Sequence, residues 1–234
     1  MSLARRESMK TKLRFNNRDN AAFTLIELVV VVAVGVLVLA ALFLPALTNC
    51  KPKASRINCA NNLKQVGLAY RLWAEDNGRK FPTQVPVADG GTMELISAGF
   101  VAAHFTVLSN ELGTPKILFC PADKDRTAAT SYAGMANLNV SYFVGLNASK
   151  DTDSETWLAG DRNITNRNIS SPLVSVRGVL ILPTNNPVGW MDNMHQYAGN
   201  LCLADGSVQQ PSSAKLNESL SHQTNGPLRL AMPE

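Results

Sequence analysis

The sequence has no C-x-x-C pair, no serine-nucleophile elbow, no phosphate-binding loop and no short-spaced zinc motif. It therefore lacks the local signatures of redox-motif proteins, hydrolases, nucleotide binders and zinc modules. It also lacks an internal repeat. Beyond residue 22 it has no net charge. The first 22 residues hold six of the 22 basic and two of the 18 acidic side chains, which is the whole formal charge of +4. The body is balanced, so the basic isoelectric point gives no reason to expect nucleic-acid binding by it. The basic stretch precedes an apolar run, as on the cytoplasmic side of a membrane segment.

From Phe23 to Leu44 the chain is almost wholly apolar, long enough to span a bilayer as a helix. The interruptions are Thr24, Glu27 and Gly35; Pro45 follows and is expected to kink or loosen the helix. A secretory signal peptide would have a shorter apolar core and a small-x-small cleavage site after it. A lipoprotein signal ending at Cys50 fits Leu47-Thr48-Asn49 poorly. A retained membrane helix, trimmed at its cytoplasmic end, fits best. An acidic residue within such a helix costs about 2.5–3.5 kcal/mol and needs a reason. One is local: Thr24-Leu25-Ile26-Glu27 reads as a T-x-x-E capping box, and the helix dipole favours negative charge there. Capping does not explain why a basic leader ends immediately before the motif.

Ala22-Phe23-Thr24-Leu25-Ile26-Glu27-Leu28 resembles the prepilin processing motif of type IV pilins and type II secretion pseudopilins, with Ala22 where the family usually has Gly. The resemblance implies cleavage between Ala22 and Phe23 by a prepilin peptidase, N-methylation of Phe23, and assembly through Glu27 as the fifth residue of the mature chain. Three further stretches resemble one group of bacterial pseudopilins: Cys59-Ala60-Asn61-Asn62-Leu63-Lys64-Gln65, Phe119-Cys120-Pro121-Ala122-Asp123, and His195 separated by nine residues from Asp205-Gly206.

After Pro45, apolar positions recur at Cys59, Leu63, Val66, Tyr70 and Trp73, close to helical period. Asp76-Asn77-Gly78 is a helix stop. We therefore expect one helix over about 23–76, with Tyr70 and Trp73 in the core. Short strands are expected at Val140–Val144, Thr156–Ala159, Val174–Leu182, Asn200–Ala204 and Ser207–Gln209. Asp205-Gly206 reads as a type I′ hairpin turn, in which both central residues have positive φ. The fold class is α+β: a long N-terminal helix, membrane half plus amphipathic half, packed against a small antiparallel sheet, pilin-like. The segments are a basic leader at 1–22 (removed), a transmembrane and assembly helix at 23–47, its amphipathic continuation at 48–78, a head at 79–210 and a polar tail at 211–234, the last expected to be poorly ordered.

In an exported head, disulfides are open to the four cysteines. Cys50 and Cys59, about 180° apart on a helix, should not bond; Cys59 with Cys120 is the expected pair. His195, Asp192, Asp205 and Asp161 could be assembled on paper into an acid/base or metal set, but no companion motif supports it. Asp205 is expected to serve the turn and His195 to pack against that hairpin, and no enzyme activity is expected. Asp151, Asp153 and Glu155 offer oxygen ligands at alternate positions, but the loop has Thr156 and Arg162 where an EF-hand needs Gly and Glu. Calcium is the only cofactor left open, against a solvated acidic loop.

The resemblance implies a structural subunit of a secretion-type or pilus-type filament in the bacterial inner membrane. It would be single-pass, with the N-terminus cytoplasmic and the head periplasmic. Its partners would be identical or related pseudopilins, the prepilin peptidase, an inner-membrane assembly platform and lipid. A minor tip pilin or membrane-anchored adhesion module is the alternative, and a membrane-tethered enzyme a third. Ala22→Arg or Phe23→Arg is expected to block cleavage, leaving full-length precursor on an immunoblot; unchanged maturation would count against the proposed site.

Overall fold

The computed structural model describes residues 24–48, 50–149, 154–166, 175–183, 187–223 and 226–234. The chain divides into two units, Met1–Leu47 and Thr48–Glu234.

In the first unit, α1 (Leu25–Thr48) is a single apolar helix. Its 19-residue stretch Leu25–Phe43 is long and apolar enough to cross a membrane. At 1.5 Å per residue that is about 28 Å, close to a hydrocarbon core. Every described side chain from Thr24 to Phe43 is exposed. Pro45 lies inside α1, which continues through it. A proline removes one backbone bond, and a long helix absorbs that loss.

The second unit opens with α2 (Cys50–Asp76). The expected helix over 23–76 is thus two helical spans flanking Asn49, which lies outside the described residues. One face of α2 is buried through Cys59, Leu63, Val66, Tyr70 and Trp73. Asn61, Lys64 and Gln65, on other faces, meet water. The helix stops where Gly78 takes φ +62° and the Arg79 N–H returns to the Ala74 carbonyl at 2.8 Å. Tight 3₁₀ turns follow, then short α3 (Val101–Thr106) and α4 (Ser109–Leu112). His104, buried on α3, sets Nδ1 2.7 Å from the Thr92 hydroxyl.

The strands are β1 (Tyr142–Gly145), β2 (Trp157–Asp161), β3 (Ile164–Asn166), β4 (Ser175–Val176), β5 (Val179–Leu182), β6 (Val188–Trp190), β7 (Leu201–Leu203), β8 (Val208–Gln209) and β9 (Leu228–Ala231). Two more helices, α5 (Asp192–His195) and α6 (Ser213–Ser221), complete the described elements. Seven strands form one antiparallel sheet in the order β4-β5-β9-β1-β2-β7-β8; β3 and β6 pair separately. Strand alternation divides the core. Tyr142, Val144 and Cys202 face the α2 side, whereas Phe143, Trp157, Leu201, Leu203, Leu228 and Leu230 face Leu216 and Leu220 of α6. The architecture is the expected α+β arrangement of an N-terminal apolar helix, a second helix and an antiparallel sheet.

Three expectations are corrected. The stretch read as a polar tail carries α6 and β9, and β9 lies inside the sheet between β5 and β1. The sequence pattern Leu228-Arg229-Leu230 alternates as a buried strand should, but the polar residues before it mask four apolar ones at the end. The expected strand 174–182 is a hairpin: Arg177 (φ +53°) and Gly178 (φ +74°) both take positive φ between β4 and β5, the geometry of a type I′ turn. At Asp205-Gly206 only Gly206 has positive φ, at +82°. Its N–H bonds the Leu203 carbonyl and the Leu203 N–H bonds the Ser207 carbonyl, each at 2.9 Å, a three-residue loop rather than a type I′ turn. In addition, β3 and β6, three residues each, lie outside every stretch expected to be a strand.

Gly67 of α2 lets the helix approach β7: a Cβ there would lie 2.7 Å from Cys202 Sγ. The central place of β9 gives a direct test. Leu230→Ala should lower the unfolding free energy by about 2–5 kcal/mol in denaturant melts. Arg229→Ala, at an exposed position of the same strand, should change it by under about 1 kcal/mol. Equal, small effects would mean that β9 is not part of the core.

Candidate functional site

Two places carry functional chemistry. The first is the start of α1. The Leu28 N–H bonds the Thr24 carbonyl at 3.2 Å, which opens the helix. The Thr24 hydroxyl accepts from the Glu27 N–H at 3.3 Å and donates to Glu27 Oε2 at 3.5 Å. In a full capping box the carboxylate would take the backbone N–H of residue 24. Here it takes only a long hydroxyl contact and stays exposed in the first turn. The helix dipole favours the charge at that end, yet the carboxylate keeps most of its acceptor capacity for another group. Ala22 and Phe23 lie outside the described residues.

The second place is a buried polar cluster in the head, assembled from four distant parts of the sequence. Cys59 on α2 is joined to Cys120 by a disulfide, with Cα atoms 5.5 Å apart. The Cys120 N–H donates to Ser141 Oγ at 3.0 Å. His195, the last residue of α5, places Nε2 3.3 Å from Cys120 Sγ and 3.3 Å from Asp161 Oδ2. Asp161 ends β2; its Oδ2 accepts from the backbone N–H of Asn200 at 2.7 Å and from that residue's amide at 2.9 Å. Arg56, one turn before Cys59 on α2, donates to the Gly199 carbonyl at 2.8 Å. The Asn163 amide donates to the carbonyls of Met191 and Ala198, which pins the loop carrying His195 from both sides. Gln196 and Tyr197, the residues after His195, both have positive φ (54° and 59°), an uncommon backbone for such side chains.

Burial controls the charges here. It pushes the Asp161 carboxyl up to about 7, opposed by the Asn200 bonds and the Arg56 charge. It pushes His195 down to about 4, and the Arg56 charge adds to that. The imidazole is therefore neutral at pH 7, and its 3.3 Å approach to Asp161 is a polar contact rather than an ion pair.

Other candidate residues go elsewhere. Asp205 is exposed; its Oδ1 accepts from the Ser207 N–H at 2.8 Å and its carbonyl from Arg71 at 2.9 Å. His195 makes its polar contacts with Cys120 and Asp161 rather than with the hairpin. Asp192 is exposed at the start of α5. Asp151 and Asp153 lie outside the described residues, and Glu155 is exposed with Oε2 3.9 Å from His222 Nδ1. Cys202 is a buried free thiol on β7, raised to about 12 by desolvation, and Cys50 has no described side chain.

Sequence reading missed Arg56 and the buried Asp123–Arg162 pair. Asp123 is held by Arg162 Nε and Nη2, both at 2.7 Å, and Nη2 also reaches Asp125 at 2.8 Å. Asp123 belongs to the Phe119–Asp123 stretch, but no local spacing announces a partner 39 residues away.

Residues 17–43 match the family described as the prokaryotic N-terminal methylation motif. The match includes Ala22, Phe23, Thr24 and Glu27, and it supports a type IV pilin-like substrate of a prepilin peptidase. With the apolar helix it is compatible with a single-pass membrane anchor. No curated protein and no solved structure matches the chain.

The buried ion pair yields a measurable contrast. Asp123→Ala leaves the partly buried Arg162 with Asp125 alone and should cost about 1.5–3 kcal/mol in denaturant melts. Asp125→Ala, at the exposed end of the same guanidinium, should cost under about 1 kcal/mol. Equal losses would show that burial does not set the strength of this pair.

Proposed function

We propose that the chain is a structural subunit of a type II secretion-like or type IV pilus-like filament, cut between Ala22 and Phe23 and N-methylated on Phe23. The observation that carries this reading is the methylation motif at 17–43, with Glu27 exposed in the first turn of an apolar helix. Cleavage creates an ammonium group at Phe23, about 6 Å along the axis from Glu27 at 1.5 Å per residue. A neighbouring subunit shifted along the filament brings its amine to this carboxylate. Each charge alone is costly in an apolar medium, and pairing offsets that cost. The pair's main effect is register, because apolar helices otherwise slide past one another with little preference. Gly35 allows close helix approach in such a bundle.

On this reading the head is periplasmic and its role is assembly rather than turnover. The Cys59–Cys120 disulfide suits an oxidising compartment. The partners are identical or related pilin-like subunits, the prepilin peptidase, an inner-membrane platform and lipid. A second reading, a tip subunit or adhesion module, draws support from an open cleft of about 870 Å³. Its lining is mainly apolar and includes Leu95, Phe100, Val107, Tyr132, Met135 and Leu138. Clefts of that size and lining hold ligands. Labelling along the filament separates the two: a major subunit decorates the whole length and a tip protein only the end.

Mass spectrometry of the native N-terminus tests the reading, which requires a chain that starts at methylated Phe23. Glu27→Ala should be processed normally but fail to enter filaments, seen as mature protein confined to the membrane fraction. Normal filaments from that variant would refute the pairing.

A further inference from the structure

We propose that Cys59, Cys120 and His195 form a site for a thiophilic divalent cation of the zinc class, with the Asp161 carboxylate beside it, filled when the Cys59–Cys120 bond is open. This inference does not rest on the filament reading. The two sulfurs and an imidazole nitrogen of His195 all lie within 4.8 Å of one another, and all three residues are buried. His195 Nε2 is 3.3 Å from Cys120 Sγ and 3.3 Å from Asp161 Oδ2. In a tetrahedral zinc site with bonds of about 2.0–2.3 Å, neighbouring nitrogen and sulfur ligands sit about 3.6 Å apart, and nitrogen and oxygen about 3.3 Å. The His195–Cys120 contact is therefore close to such an edge, whereas the two bonded sulfurs must part to about 3.8 Å once the bond opens.

The donor set also selects the ion. Two thiolates and one imidazole favour zinc over calcium or magnesium, which take oxygen ligands. Two thiolates balance the ion's charge, and Arg56 faces the remaining carboxylate of Asp161. As a disulfide, the cluster leaves Asp161 Oδ1, His195 Nδ1 and Arg56 Nε buried without hydrogen-bond partners. The four residues come from α2, the loop before β1, the end of β2 and the end of α5, so metal and disulfide are alternative cross-links of the same elements.

Opening the disulfide takes two electrons and two protons from a dithiol reductant, which leaves as its own disulfide. Metal binding then releases the two thiol protons as thiolates form. The full-length chain in detergent, with Cys50→Ser and Cys202→Ala to remove the other thiols, is the material for the test. Reduced anaerobically and titrated with cobalt(II), it should bind one ion per chain with thiolate charge-transfer and tetrahedral ligand-field bands, and zinc(II) should displace the cobalt. The oxidised protein should show neither band. His195→Ala and Asp161→Ala should each weaken binding at least about tenfold. Should reduction unfold the head, zinc must restore its circular dichroism and melting transition. The proposal is overturned by a reduced protein with no thiolate–cobalt bands, by unchanged affinity in His195→Ala, or by a reduced, unfolded head that zinc fails to restore. Unchanged affinity in Asp161→Ala would overturn the part assigned to that carboxylate.

Discussion

The apolar stripe of α2 from Cys59 through Trp73 lies on one face of the antiparallel sheet, and that packing sets where α2 meets the head cluster. It brings Arg56 to the loop after α5 and Cys59 to Cys120. Gly67 meets β7 so closely that a methyl group would strike Cys202. A rotation of α2 by one residue, about 100°, would withdraw all of these at once. The sheet's opposite face is covered by α6, whose Leu216 and Leu220 meet Phe143, Trp157 and Leu230. The Asn217 amide of α6 also pairs with the backbone of Val188 at 2.6 and 2.7 Å, as a neighbouring strand would. The sheet is therefore buried on both faces although it is short and antiparallel.

The first unit has the opposite property. Its described side chains from Thr24 to Phe43 are exposed and, Thr24 and Glu27 aside, almost all apolar. Large aliphatic groups in water are unfavourable by about 25 cal/mol per Å², so this helix requires lipid or other apolar helices. Within the second unit, Ile57, Leu68 and Leu72 are also exposed, within about 60° of one another around α2. The chain thus presents apolar surface on both helices, and only the inner face of α2 is satisfied by its own fold.

The parts of the fold that were legible share one trait: their signal is local. The Cys59–Trp73 periodicity, the stop at Gly78 and the alternation through β7 each follow from neighbours a few residues apart. The illegible parts depend on distant partners. β9 became a central strand because β1 and β5 leave a place for it, although a polar stretch precedes it. Arg177, an unexpected residue at positive φ, is held there by the pairing of β4 with β5. Asp205 kept an ordinary backbone conformation because the loop closes through Gly206 alone.

The sequence by itself determined the membrane-length helix, the isolated carboxylate at its start and the processing motif around it, since all three are properties of contiguous residues and of bilayer dimensions. It also determined which face of α2 is buried. Only the tertiary structure decided what His195 and Asp161 do. They stand 34 positions apart, and each is more than 40 from either bonded cysteine, so no spacing rule connects them. The folded sheet removes water from Asp161, Asn200 and Arg56 fix its carboxylate, and α5 delivers the imidazole to the sulfur pair. Desolvation and long-range packing, neither of them written in local sequence, turned four scattered residues into one cluster.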